Sequence, residues 1–599
     1  MRNACAEAPF ALIDNDDGGA RYFTDYRHCL SFEARQRPPA AALASAFAAI
    51  EAANAAGLWV VLAADYGLGA GFEPAAPTPL ADDPPARLRA WVFGACEPLD
   101  AEALGGFWRE RLATLSEEER VAGVADLRPA VSEEIYVRQV AQIKQWIAEG
   151  DCYQINLTFP LHFQPYGHPL ALYAGLRQRQ PVRYGALVSV PGATILSFSP
   201  ELFFERRGAR VLTRPMKGTA PRGATPAEDA ALREGLLASA KERAENVMIV
   251  DLLRNDLGRL AAPGKVRVDA LCEAEAYPTL WQQVSSISAD LPGVSLFDVF
   301  SALFPCGSIT GAPKIRAMQR IAELEGDARQ LYTGALGWVA PGGDCRFNVA
   351  IRTFEMTASA PARLGGGSGI VIDADPAREY AECLLKARFL SGFDPGFALF
   401  ETMRLEQGSY PLLPLHLERL LGSARTLGFS VDRAAIETAL AAEARRYTKG
   451  IFRVRLSLAH GGAFELSVAA LETPVRDWRV TLADDRLPEA DFLRGHKTTA
   501  RRRYDAALAR LPDGVFDTLF LNVRGEVCEG ARSSVFIVRD GVWLTPPLAC
   551  GILPGVMRRC LIESGRAVEQ VLTREDLLAA KALYVGNALR GVIPVRLLA

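Results

Sequence analysis

The chain has 599 residues, too many for one ordinary hydrophobic core, so length alone implies at least two domains. Lys and Arg number 67 against 70 Asp and Glu, a balance that supplies no basic surface for nucleic acid and leaves small molecules as the expected partners. The 11 cysteines lie scattered without CxxC pairs, which excludes a zinc ribbon or disulfide frame as the organising device and favours a reducing, cytoplasmic setting.

In chain order, Met1 to about Ala130 reads as strands alternating with Ala-rich helices, broken by the Pro-rich EPAAPTPLADDP at 73–84. The run AALASAFAAIEAANAAGLWVVLAA at 41–64 is interrupted by Glu51 and Asn54 and dominated by Ala, so a buried helix followed by a strand is expected, with no membrane span. Acidic residues near the N-terminus stand where an export signal would carry its apolar core, so no export is expected. Tyr136, Val140, Ile143 and Ile147 recur at helical spacing, which predicts a helix over 131–151 ending at Gly150; CYQINLTFPLHF then reads as a strand. Strands and helices alternate to about Ser391. GFDP at 392–395 breaks the pattern before FALFETMRL, which places a boundary near 393 and divides the chain into 1–392 (with parts 1–130 and 131–392) and 393–599.

Histidines occur at 28, 162, 168, 416, 460 and 496, so proton transfer between 169 and 415 falls to Lys, Asp, Glu, Tyr or water. Within that stretch, KERAENVMIVDLLRNDLGR (241–259) puts Glu242 and Glu245 on neighbouring positions of one helix face, and DADPAREYAECLLK (373–386) does the same with Glu379, Glu382 and Lys386. Such pairs are either solvated faces or ligands converging on a hard cation such as Mg2+, and spacing alone does not choose between them. CGSITGAPKIRAM (306–318) places small residues beside Ser308 and Thr310 ahead of a helix, a turn that lets backbone amides approach an anion or simply makes a bend.

Together with SFSPELFF, RPMKGTAPRG, YTGALGW, FNVAIRTF and GSGIVIDADPAREYAECLLKA, these stretches resemble the chorismate-utilising enzymes, the anthranilate, aminodeoxychorismate and isochorismate synthases, over most of 150–390. The resemblance implies a mixed α/β (α+β) sandwich of sheets and helices. It implies Mg2+ held by Glu245 and Glu382 with Glu242 and Glu379 nearby, chorismate carboxylates handled by Tyr332, Arg352, Gly369 and Lys386, and Ser308 near the ring. Anthranilate synthases look like PIAGT where aminodeoxychorismate synthases look like PIKGT; this chain reads PMKGT, so Lys217 is the implied nucleophile and Glu201 the implied acid for the departing hydroxyl. Gln282 stands where many members have histidine, so no base is expected there.

Residues 397–599 carry HLERLLGSARTLGF, RGHKTTARRRYDAAL, VCEGARSSVFIV, GILPGVM and ALYVGNALRGVIPV, and resemble the two-subdomain fold-type IV pyridoxal-phosphate enzymes, among them transaminases and aminodeoxychorismate lyase. By that resemblance Lys497 carries pyridoxal 5'-phosphate, Glu529 keeps its pyridine nitrogen protonated, and Arg419, Val556, Met557 and Asn587 gather around its phosphate. The implied whole is a bifunctional enzyme making p-aminobenzoate from chorismate. Its rival is anthranilate or isochorismate synthesis joined to an aminotransferase. No GxCxGxQ segment occurs in the sequence, so a separate glutamine amidotransferase subunit or free ammonia is expected as nitrogen donor, and the second domain is expected to pair in a homodimer.

Overall fold

The computed structural model describes residues 8–77, 83–277, 280–357, 360–471, 478–488 and 491–598. Part of the Pro-rich break at 73–84 lies outside them. Four sheets organise the chain, two built from residues 10–370 and two from residues 399–597, which is the mixed helix-and-strand class expected.

The largest sheet has fourteen strands. It runs from Met216–Pro221 through Leu280–Asp290, Arg210–Arg214, Leu202–Arg207, Cys345–Val349, Ala335–Val339, Trp59–Ala64, Ala86–Leu99, Ala20–Ala34, Phe10–Asp14, Tyr184–Val190 and Ala193–Ser199 to Thr353–Glu355, with Val266–Ala276 also paired to Leu280–Asp290. Strands from the first hundred residues therefore sit in the middle of a sheet whose ends come from residues 184–355. A four-stranded sheet, with Gln154–Tyr166 at its centre between Ala362–Ile370 and Gly311–Ala312, packs against it; Phe10, Leu12, Leu187 and Phe198 of one meet Ile155, Leu157, Phe159 and Leu364 of the other in one core.

Local features follow the sequence closely. The run 41–64 forms the helix Ala40–Ala55 and the strand Trp59–Ala64, and its polar interruptions are bonded: Asn54 donates to the Leu58 carbonyl at 2.9 Å, and Glu51 accepts from the Leu296 amide at 2.7 Å. Among the described residues, no helix is long and apolar enough to cross a membrane. The helix Glu133–Ala148 starts at a Ser132 cap and buries Tyr136, Val140 and Ile143, but its fourth buried residue is Trp146, with Ile147 only partly covered. The Arg320 guanidinium lies 4.2 Å over the Trp146 ring, so a large ring takes the position the periodicity gives to Ile147.

The later residues form a three-stranded sheet (Leu399–Glu406, Ile451–Leu458, Phe464–Ala470) backed by the helices Leu413–Leu427 and Arg433–Arg446, and an eight-stranded sheet. In the latter, Val527–Gly530 and Val515–Asn522 lie at one edge and Gly591–Leu597, Ala582–Asn587 and Ser534–Arg539 lie inside. Ala125 and Tyr166 from the earlier sheets share a buried cluster with Leu399, Met403, Leu417 and Leu420, so the two halves meet through an apolar contact.

Candidate active sites

The first site forms where the strand Met216–Pro221 passes the helices Ala240–Gly258 and Pro376–Lys386. Lys217 sits on that strand. Burial pushes its ammonium pKa down, an effect opposed by Glu201 and Glu245 and reinforced by Lys386. Glu201, 4% exposed, is pushed up to about 7 by burial, against the pull of the Ser308 hydrogen bond and the Lys217 charge. Ser308, in the short turn Gly307–Ile309, donates to Oε1 of Glu201 at 2.6 Å.

Two glycines mark how tightly the lysine is enclosed. Gly218 has φ of 84°, and a Cβ on it would lie 2.9 Å from Oε2 of Glu242, so both the backbone and the carboxylate require glycine after Lys217. At Gly369 a Cβ would lie 2.6 Å from Nε2 of Gln154 and 3.5 Å from Nζ of Lys217. Any side chain there would push the Gln154 amide aside and touch the lysine amine. Gln154 is 1% exposed and its Nε2 has no hydrogen-bond partner among the described residues, a donor that no sequence motif marks. Gln282 donates to the Gly218 carbonyl at 2.8 Å and accepts from Thr219 at 3.2 Å, clamping the turn after the lysine with no base in play.

Four helix carboxylates border this site. Burial raises Glu245, with Glu242 and Glu379 adding like-charge repulsion; burial also raises Glu379, with Glu382 adding to it. Glu382 is exposed and pairs with Lys386 at 2.9 Å, and Lys386 donates to the Gly367 carbonyl at 2.8 Å. Among the described residues, no three His, Cys, Asp or Glu gather around one point as a closed ligand set. The donor chemistry nevertheless fits a hard cation: oxygen ligands only, two of them held in unfavourable like-charge company. Tyr332 packs its ring against Gly365, where a Cβ would collide with it, and burial raises its phenol. Arg352 has φ of 50° and lines a cavity with Met216, Tyr277 and Gln282; burial lowers its pKa, and no carboxylate pairs with it among the described residues.

The second site surrounds Lys497, whose Nζ lies 4.5 Å over the Phe400 ring. Burial brings its amine down to about 7, helped by Arg419 and Arg501 and opposed by Glu401 and Glu529. Glu529, 8% exposed on the strand Val527–Gly530, accepts from the Tyr504 hydroxyl at 2.7 Å and from the Leu553 amide at 3.0 Å; burial raises it. Arg419 holds Glu401 through two bonds of 2.8 and 2.6 Å and donates to the Pro554 carbonyl at 3.0 Å. Burial opposes ionisation of Glu401, but Arg419 and His416 outweigh it and bring the carboxyl to about 2.

Pro554 and Gly555 lead into the helix Val556–Glu563, whose first turn has no side-chain cap. A Cβ on Gly555 would lie 2.5 Å from Oγ of Ser534, so only glycine lets that serine pack against the start of the helix. The uncapped helix start beside the Ser534 hydroxyl suits a phosphate, and the lowered Lys497 amine with the buried Glu529 suits the rest of pyridoxal phosphate. Asn587 caps the turn after its strand by accepting from the amides of Leu589 and Arg590 at 3.2 and 2.9 Å. Glu401, Tyr504 and Ser534 were not picked out from sequence. Glu401 carried a signal: it stands in register with Leu399, Met403 and Leu405 on the buried face of a strand.

Comparison with known proteins identifies two regions. Residues 10–392 match the chorismate binding enzyme family, and residues 398–598 match class IV amino-transferases. The chain is 41% identical over 276 residues to "Aminodeoxychorismate synthase component 1" of Bacillus subtilis, covering 46% of this chain and 58% of that protein. It is 42% identical over 258 residues to "Anthranilate synthase component 1 1" of Haloarcula marismortui, covering 43% and 53%. These matches span less than two thirds of either relative. Among solved structures it resembles anthranilate synthase component I from Streptococcus pneumoniae, with a TM-score of 0.50 and 25% identity over 64% of this chain and 90% of that one.

Proposed function

The chain belongs to the chorismate binding enzymes and carries a class IV amino-transferase domain behind that region, and on this premise we propose that it makes p-aminobenzoate from chorismate in two steps. The first site replaces the 4-hydroxyl of chorismate by an amino group. The second eliminates pyruvate from the resulting 4-amino-4-deoxychorismate. Overall identity does not choose between amination at carbon four and anthranilate synthesis, since relatives with both names are about equally similar.

The observation that carries the choice is the opposed pair Lys217 and Glu201, in which burial drives the amine toward its free base and the carboxyl toward its acid. That is the protonation state an addition needs. The Nζ lone pair of Lys217 forms a C–N bond to the ring while the hydroxyl leaves with the proton of Glu201 as water, and ammonia then displaces the lysine. Ser308 fixes the direction of the Glu201 carboxyl. Arg352 and Lys386 hold substrate carboxylates, with the backbone at Gly369 and the Tyr332 ring closing around them. Glu242, Glu245, Glu379 and Glu382 are the residues that hold Mg2+, which supplies positive charge for a substrate carboxylate. Nitrogen comes from a separate glutamine amidotransferase component or from free ammonia.

At the second site Lys497 and Glu529, with Arg419, Val556, Met557 and Asn587, are the residues that hold pyridoxal phosphate, which supplies an electron sink when bound. Nζ of Lys497 takes the proton from the amine-bearing ring carbon, and loss of pyruvate leaves the ring aromatic. Glu529, fixed by the Tyr504 hydroxyl and the Leu553 amide, would keep the pyridine nitrogen protonated. The product of the first site is the substrate of the second, which favours elimination over transamination. Incubating the chain with chorismate and Mg2+ without ammonia, followed by mass spectrometry of its peptides, should find chorismate-derived mass on Lys217; an unmodified Lys217 in a chain that aminates chorismate once ammonia is added contradicts the mechanism.

A further inference from the structure

The segment that presents Lys497 is anchored on the chorismate-binding half of the chain from both sides. Five residues before the lysine, the Phe492 ring stacks on Tyr166 with centroids 5.8 Å apart and planes at 13°. Phe492 in turn packs on the His496 ring at 5.3 Å, and Nδ1 of His496 meets Oγ of Ser423 at 3.0 Å. Beyond the lysine, Arg503 bonds Glu118 at 2.7 and 3.2 Å, and Arg502 pairs with Glu117. Tyr166 is the last residue of the strand Gln154–Tyr166, the centre of the four-stranded sheet, so the stack rests on a rigid element. It is 5% exposed, and its ring lies against Gly123, where a Cβ would collide with its hydroxyl.

The lysine's own domain holds the same segment through the His496–Ser423 contact, through the Thr499 hydroxyl, which accepts from the Ala398 amide at 2.9 Å, and through its backbone. The Phe400 amide donates to the Lys497 carbonyl at 3.0 Å, and the Thr499 amide donates to the Ala398 carbonyl at 2.8 Å. Those bonds fix where the chain passes, and the turn Phe492–Gly495 before the lysine is oriented by its side-chain contacts, among them the stack on Tyr166. A lysine that must reach both a cofactor and a substrate proton needs its backbone fixed to a fraction of an ångström, and displacement of about 1 Å can cost up to ~100-fold in rate.

We propose that Tyr166 and Phe492 are positioning residues for the second reaction, so that the chorismate-binding half is a structural part of the site around Lys497. This rests on the reading of Lys497 as the cofactor lysine. The contact is specific to a chain in which both halves are joined, and it gives the fusion a mechanical role beyond bringing two activities together. Surface ion pairs such as Arg503 with Glu118 contribute little by themselves, which leaves the aromatic stack as the contact to test.

The test uses the full-length chain loaded with pyridoxal phosphate and the variants Tyr166→Ala, Tyr166→Phe, Phe492→Ala and the Tyr166→Ala/Phe492→Ala double variant. Three quantities are read: the visible spectrum of the bound cofactor, kcat and KM for supplied 4-amino-4-deoxychorismate, and chorismate turnover at the first site. We expect each alanine variant to lower the second kcat roughly tenfold with KM within about twofold, and to alter the spectrum. Chorismate turnover should hold, Tyr166→Phe should behave as wild type, and the double variant should fall no further than the worse single one. Wild-type kcat and spectrum in Phe492→Ala overturn the proposal, as do multiplied losses in the double variant; Phe492→Ala decides the matter should Tyr166→Ala lose both activities through misfolding. If borohydride fixes no cofactor to Lys497 in the wild-type chain, the reading of the second site fails and this inference fails with it.

Discussion

Ser308 donates a 2.6 Å hydrogen bond to Glu201, and the bond works against burial, which raises that carboxyl to about 7. The two effects set opposite limits on one proton. Glu201 must hold it to release the hydroxyl as water, so chorismate turnover, measured at constant free-ammonia concentration, should fall as pH rises through about 7. Its ascending limb should follow loss of the Lys217 proton, at a pH below the ordinary lysine range. Ser308→Ala removes a bond that favours the carboxylate, so the alkaline limb should move to higher pH. Glu201→Gln should lower turnover by about 10²- to 10⁴-fold and abolish that limb. An alkaline limb unchanged in Glu201→Gln would assign it to another group.

The carboxylates make a separate prediction. Glu245→Gln removes an anion that burial and like charges already destabilise, and should raise the Mg2+ concentration for half-maximal chorismate turnover at least roughly tenfold. Glu379→Gln should act in the same direction. Elimination of pyruvate from supplied 4-amino-4-deoxychorismate should be untouched in both variants. Wild-type Mg2+ dependence in both would remove these residues from the metal site.

Lys497 should reveal its environment through cofactor uptake. Only the free amine condenses with the cofactor aldehyde, and burial brings this amine down to about 7, so the rate of uptake by cofactor-free chain should rise with pH through about 7 and level off above it. Arg419→Leu removes a nearby positive charge and leaves Glu401 without its main partner; both changes favour the protonated amine and should move the midpoint upward. Stopped-flow absorbance reads the rate directly, and a midpoint unmoved by Arg419→Leu would contradict the electrostatic account.

Elimination and transamination differ in what sustains turnover. Supplied with 4-amino-4-deoxychorismate and no keto acid, the chain should release pyruvate and p-aminobenzoate continuously, because elimination leaves the cofactor unchanged after each cycle. A single turnover that resumes only when a keto acid is added would make the second domain an aminotransferase.

Much of both sites was legible because their residues stand in short, ordered stretches. Lys217 is flanked by Gly218, whose positive φ and contact with Glu242 show why the glycine follows it, and the helix carboxylates fall at spacings that a single helix face dictates. What sequence did not reveal depends on contacts between distant segments. Gln154 and Lys217 both approach Gly369 only because three separate strands converge, and no local periodicity marks a buried amide whose nitrogen lacks a partner among the described residues. The fourth buried position of the helix Glu133–Ala148 went to Trp146 because Arg320, far along the chain, covers its ring. The stack of Tyr166 on Phe492 joins residues of different domains, and neither aromatic stands out in its own segment.

The most direct measurement supplies the cofactor-loaded chain with chorismate, ammonia and Mg2+ and identifies the product by mass spectrometry and absorbance. The account predicts p-aminobenzoate with one pyruvate released per molecule, and loss of that product in Lys217→Ala. Anthranilate or isochorismate as the wild-type product, or undiminished 4-amino product from Lys217→Ala, would contradict it.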